Sequence, residues 1–147
     1  MKPPTHALAI ILTYSGTLPL IACAVLSFLP QPEIDVMMFA RTYSAIIVSF
    51  LCGIHWAVYL FFAEKCSRNL LITSNLVALI VWLLLLSTNS LLTTMLQIVC
   101  FLYLLTLDLR LHNAGLLPEW FYRLRRNATV IVVLCLCMLM LNLHNMH

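Results

Sequence analysis

Five long apolar stretches separated by short polar breaks set the pattern of this chain: Ala7 to Leu29, Val36 to Ala63, Leu70 to Leu86, Leu91 to Leu107 and Ala128 to Leu143. A helix needs about 20 predominantly apolar residues to cross a hydrocarbon core, and each stretch reaches or approaches that length. The first is closed by Pro30-Gln31-Pro32, after which Glu33 and Asp35 favour the start of a new helix. Ser87-Thr88-Asn89-Ser90 is a polar tetrad suited to a tight hairpin, so the third and fourth stretches are expected to pack antiparallel. Pro19 predicts a kink in the first stretch, with the freed carbonyl compensated by a neighbour such as Tyr14 or Ser15. Pro118 to Arg126 mixes three aromatic residues with three arginines behind a helix-starting proline, which predicts a short interfacial helix before the last span. The expected fold is an all-α integral membrane protein, a bundle of five transmembrane helices in a single polytopic domain over residues 1–147.

Composition supports this reading. Hydrophobic residues make up 63% of the 147 and charged residues only 9%, about a third of the ~25% typical of soluble domains. Lipid is therefore the expected solvent. A net charge of +3, with its basic residues scattered between apolar runs, argues against a nucleic-acid partner. Five of the six cysteines, Cys23, Cys52, Cys100, Cys135 and Cys137, lie within apolar runs and only Cys66 falls in a polar loop, so no disulfide framework is implied.

The basic residues orient the spans. Lys2, Lys65, Arg68, Arg110, Arg123, Arg125 and Arg126 fall on one side of a five-span arrangement and Arg41 alone on the other. The positive-inside rule then places the N-terminus in the cytoplasm and the C-terminus outside. Leu20-Ile21-Ala22-Cys23 matches a lipobox in which Cys23 would be lipidated, but the apolar run continues to Leu29, which favours an uncleaved first helix. With no transit sequence before Ala7, the expected compartment is a bacterial inner membrane.

Polar residues inside the spans are the candidates for chemistry. In the second span Ala45, Ser49 and Gly53 recur at every fourth position, a row of small residues that lets another helix approach closely. Beside it runs a largely polar stripe of Arg41, Ser44, Val48, Cys52, His55 and Tyr59, with Trp56 following His55. His55 stands about eight residues, or roughly 12 Å, from the cytoplasmic end, too deep for easy snorkelling. It requires a partner, for which Gln97, Asn75, Tyr14, Ser15 and Asp108 are available. Three readings of His55 stay open: interhelical glue, a proton-carrying or ligand-binding group, and haem or metal ligation. In the fourth span Thr93, Gln97, Cys100, Leu104 and Asp108 share a face, and Asp108 is expected to pair with Arg110, Arg68 or an arginine of the interfacial segment.

Metal ligation lacks companions for His55 at matching depth, since His6 and His112 lie near the cytoplasmic surface and His144 and His147 outside. The soft donors Cys135, Cys137, Met138, Met140, His144, Met146 and His147 suit Cu(I), yet Cys135 and Cys137 point to opposite sides of a helix, so packing is the default and no metal or cofactor is assigned. Trp120, Tyr122, Arg123, Arg125 and Arg126 are expected to contact lipid headgroups or a partner. No phosphate loop, nucleophile elbow, catalytic carboxylate pair or zinc spacing occurs, so no enzymatic activity is expected.

Three segments resemble the family catalogued as domain of unknown function 3429, whose animal members are called transmembrane protein 69. They are Tyr14-Ser15-Gly16-Thr17-Leu18-Pro19, the run from Tyr43 to Trp56 ending Gly53-Ile54-His55-Trp56, and Leu107 to Arg125 with its Leu117-Pro118-Glu119-Trp120 core. Cys52 stands where the family pattern has a second glycine, which leaves less room for helix approach. The resemblance implies a small polytopic inner-membrane protein and transfers no activity to any residue.

The function expected from the residues is non-enzymatic: an interaction, assembly or stabilising factor that works in the bilayer with a membrane-protein partner or as a homo-oligomer. The alternative is a proton or solute conduit, or a haem- or quinone-binding protein, built on the strip of Ser44, Cys52, His55, Trp56, Tyr59, Gln97 and Asp108.

Overall fold

The computed structural model describes residues 3–29, 35–66 and 69–145, with side chains described for 6–29, 35–66 and 69–142. Its elements are α1 (Pro3–Ser15), α2 (Leu18–Leu26), α3 (Val36–Phe61), α4 (Asn69–Leu85), α5 (Ser90–Asn113) and α6 (Glu119–Asn145), and no strand occurs among the described residues. Four stretches are long and apolar enough to cross a membrane: His6–Leu26, Val36–Phe61, Ser90–Asn113 and Glu119–Asn142. The fifth apolar helix, α4, has 17 residues, or about 26 Å at 1.5 Å per residue.

Local chemistry starts and stops these helices. Asp35 caps α3 by accepting from the Met38 N–H at 2.9 Å, and Asn89 caps α5 by accepting from Leu92 at 3.0 Å. At the end of α5, Gly115 takes φ 73°. Its N–H reaches His112 O and that of Leu116 reaches Leu111 O, so the orphan carbonyls of the last turn are satisfied before Pro118 starts α6. The Pro30-Gln31-Pro32 turn and Glu33 lie outside the described residues.

Two expectations need correction. The first span is not one kinked helix but two, because the chain breaks at Gly16-Thr17 just ahead of Pro19. At the break, Tyr43 of α3 donates its hydroxyl to Gly16 O at 2.9 Å and Thr17 donates its own to Tyr14 O at 2.8 Å. Nor is there a separate interfacial helix, since Glu119 to Arg126 forms the opening turns of a continuous α6. Helix-forming residues run unbroken from Glu119 through Asn127 into Ala128, so no breaker separates the two segments.

α3 sits at the centre, packed on α2, α4 and α5, while α6 packs on α5 and α2 and carries α1. Leu20, Ala40, Val48, Val81, Leu104 and Leu136 are fully buried between them. The outer surface is apolar as well: Phe50 is 69% exposed and Phe61 81%. Water would oppose so continuous an apolar surface, whereas hydrocarbon is indifferent to it, so the bundle has the character of a membrane protein.

Candidate functional site

The polar side chains of the interior form two clusters, one toward each end of α3 and α5. In the first, Ser44 donates to Gln97 Oε1 at 2.7 Å, and Gln97 Nε2 donates to the carbonyl of Arg41 at 2.9 Å. Arg41 Nη1 in turn reaches Ser90 Oγ at 2.8 Å, while its Nε is buried without a partner. Thr93 extends the cluster to α4 by donating to Leu84 O at 3.1 Å. Every bond here joins a helix to its neighbour, the use to which buried polar groups in a bundle are commonly put.

The second cluster joins three helices. His55 Nε2 lies 2.9 Å from Asp108 Oδ1, and the other carboxylate oxygen accepts from Arg125 Nε at 3.1 Å and Nη2 at 3.0 Å. His55 and Asp108 are each 1% exposed. An ionised carboxylate only accepts, so His55 donates from Nε2 and its Nδ1, also buried, is left without a partner. Arginine forks onto a carboxylate with charge-assisted bonds, the geometry in which a buried ion is best compensated.

Of the partners open to His55, the fold thus selects Asp108, and of those open to Asp108 it selects Arg125. Arg125 corrects an expectation, because it is buried rather than facing lipid. The reason is its phase on α6: Arg125, Ala128, Thr129, Val132, Leu136 and Leu139 all lie on the inward face, at spacings of three or four residues. That spacing was present in the sequence and would have found it. Thr129 was missed altogether, and nothing but the same phase points to it.

Two further placements differ from expectation. Trp56 turns outward, 39% exposed, so it is not part of the interior strip. Ala45 is buried, but Ser49 and Gly53 face outward, and a Cβ added at Gly53 would meet nothing within 4 Å. Among the described residues, no helix of this chain covers that part of the small-residue row.

Between the clusters, α3 and α5 contribute Val48, Leu51, Cys52, Cys100, Phe101 and Leu104, all buried. Ser44 to His55 and Gln97 to Asp108 each span eleven positions, or about 16 Å of helix. Tyr59 is half-buried beyond His55. The expected strip is therefore interrupted, with an apolar layer across its middle.

At the rim beyond Asp108, aromatic contacts tie the helix ends. His6 of α1 stacks on Trp120 at 4.3 Å, and His112 of α5 stacks on Tyr122 at 5.2 Å. His112 also bridges Leu117 O and Glu119, and Glu119 pairs with Arg123. Trp120 and Tyr122 therefore have intrachain roles, while Arg123 and Arg126 remain exposed. Among the described residues no group of three or more His, Cys, Asp or Glu could hold a metal. Cys135 is buried and Cys137 half-buried, and the side chain of His144 with all of Met146 and His147 lies outside the described residues.

Neither a curated protein nor a solved structure matches this chain. The profile of the family described as "Protein of unknown function (DUF3429)" matches residues 5–141, which takes in both polar clusters, the Gly53-Ile54-His55-Trp56 segment and the turn into α6. With nearly the whole chain so covered, it belongs to the DUF3429 family.

Proposed function

We propose that this is a non-enzymatic, five-span protein of a bacterial inner membrane that acts by associating with another membrane protein, as an assembly or stabilising factor. One contrast carries the reading: the deep polar side chains bond mainly to one another inside the bundle, whereas the outward part of the small-residue row, Ser49 and Gly53, is open. Interior bonds of this kind hold helices together. An open glycine in an apolar helix admits a second helix at short range.

The topology rests on charge. With α4 counted as a span, slightly short of the ~30 Å hydrocarbon thickness, the N-terminus is cytoplasmic and the C-terminus periplasmic. The polar cluster of His55, Asp108 and Arg125 then lies toward the cytoplasm. The apolar layer between the clusters favours the association role over a conduit, because a proton or solute path along the strip would have to cross about 16 Å of helix lined by buried apolar groups.

Native mass spectrometry of protein extracted gently from its own membrane tests the reading, combined with a photo-crosslinking residue at Ser49. A stoichiometric protein partner that crosslinks from Ser49 is the expected result. A bare monomer that crosslinks only to lipid would overturn it. Proton flux in liposomes under a pH gradient, abolished by His55→Ala in protein that still folds, would establish the conduit in its place.

A further inference from the structure

α1 rests chiefly on α6, and between α1 and α3 this leaves a cleft of about 460 Å³. Its walls are mainly apolar side chains, among them Leu12 of α1 and Ile46 and Phe50 of α3, with Thr13, Thr17 and Tyr43 beside them, and its floor is α6 at Ala128, Thr129 and Val132. The volume falls in the ~300–1,000 Å³ range of small-molecule sites. Ile46 and Phe50 are exposed on the outer surface, so entry is sideways, from lipid.

Two polar residues of α6, Arg125 and Thr129, line this cleft one turn apart. Thr129 is 2% exposed and its hydroxyl has no hydrogen-bond partner. Threonines in a helix commonly return that proton to the carbonyl one turn back, as Thr42, Thr73 and Thr94 do here. Thr129 does not. Arg125, also lining the cleft, commits Nε and Nη2 to Asp108, so the two N–H groups of Nη1 have no acceptor among the described residues. No carboxylate lines the cleft, and Asp108 holds the other two nitrogens of the same guanidinium from outside it.

We infer that the cleft binds one oxyanion-headed amphiphile, its carboxylate or phosphate held between Arg125 Nη1 and Thr129 Oγ1 and its chain laid along Leu12, Ile46 and Phe50. Charge-assisted bonds from a guanidinium suit such a head, and the unpaired hydroxyl one turn further along α6 supplies a second donor. The remainder of the cleft gives the chain an apolar bed. This ligand site is independent of the protein partner proposed above.

Native mass spectrometry of the full chain in detergent, titrated with palmitate, phosphatidylglycerol or phosphatidylcholine, tests it. One saturable adduct is expected with palmitate or phosphatidylglycerol, which carry net negative charge, and none at the same concentrations with phosphatidylcholine, whose phosphate is already neutralised by its own choline cation. Saturation by palmitate identifies a free fatty acid as the ligand source, and saturation by phosphatidylglycerol alone a phospholipid. Thr129→Val keeps the side-chain shape, and its loss of one donor should weaken the adduct about tenfold with the melting temperature maintained. Ala9→Phe, on the α1 wall, should abolish the adduct by filling the cleft. Equal adducts with all three lipids, or adducts insensitive to both variants, would overturn the inference. Loss with Ala9→Phe alone would overturn it too, because a chain would then bind without recognition of its head.

Discussion

His55 and Asp108, separated by 53 positions in sequence, meet with Nε2 and Oδ1 2.9 Å apart in the interior of the bundle. Asp108 is the hub, since its second oxygen takes both bonds from Arg125. The three side chains come from α3, α5 and α6, so Asp108 clasps both α3 and α6 to α5.

The hub makes the three positions unequal. Asp108→Ala leaves both Arg125 and His55 unpaired, and stranding a buried charge costs about 3–5 kcal/mol. His55→Ala removes one bond and leaves the arginine pair intact, for about 1–2 kcal/mol. Replacing both ions with apolar groups, in Asp108→Leu/Arg125→Leu, should recover most of the loss. Thermal unfolding in detergent should rank the variants in that order. An Asp108→Ala protein no less stable than one carrying the exposed change Arg126→Ala would remove the clasp.

Gln97 plays the corresponding part in the other cluster. Gln97→Leu deprives Ser44 of its acceptor and the Arg41 carbonyl of its donor, for an expected loss of about 1 kcal/mol. Combined with Ser44→Ala, the loss should fall short of the sum, because the two share a bond. Combined with His55→Ala, it should add within about 0.5 kcal/mol, since roughly 16 Å of helix separates the clusters. A strong coupling between Gln97 and His55 would mean that one network runs through the apolar layer.

Much of this arrangement was legible in the chain. Apolar stretch length located the helices, and the helical spacing of Ser44, Cys52 and His55 put them on one inward face, as it did Gln97 and Asp108. Sequence left several candidates for each partner, because pairing depends on helix rotation and depth, which only packing fixes. Charge and aromatic neighbours point Arg125 toward headgroups, while an arginine of its segment is also among the partners the sequence offers Asp108; its phase on α6 and that carboxylate decide for the interior. The outward turn of Ser49 and Gly53 was illegible for a related reason. A small-residue row says that a helix can approach, but not whether that helix belongs to the same chain.

Gly53 separates stability from association. Its added Cβ would meet open space, so Gly53→Ala should stabilise the isolated chain by about 0.5–1 kcal/mol through helix propensity alone. Gly53→Ile should also leave the monomer folded. If a partner helix docks on this face, however, the bulk at position 53 should reduce co-purification of that partner while the melting temperature holds. Loss of stability with Gly53→Ile would show instead that the position is packed within the chain.

Cys66 reports both orientation and its own environment. It lies half-buried in the loop between α3 and α4, beyond the membrane-spanning stretches, and burial pushes its thiol up from the ordinary value of 9.0. Thiolate is the species that reacts with maleimides, so a raised value means a smaller reactive fraction at any pH below it. Labelling at Cys66 should therefore be slow at pH 7 and still accelerate as pH rises past 9. Cys66→Ser should abolish most of this signal, since Cys23, Cys52, Cys100 and Cys135 are buried within helices and the half-buried Cys137 lies within the apolar stretch Glu119–Asn142. Under the proposed orientation, with a cytoplasmic N-terminus, this loop faces the cytoplasm too, so a membrane-impermeant maleimide should reach Cys66 only after the cells are permeabilised. Labelling in intact cells would invert the assigned orientation and place the His55, Asp108 and Arg125 cluster toward the periplasm.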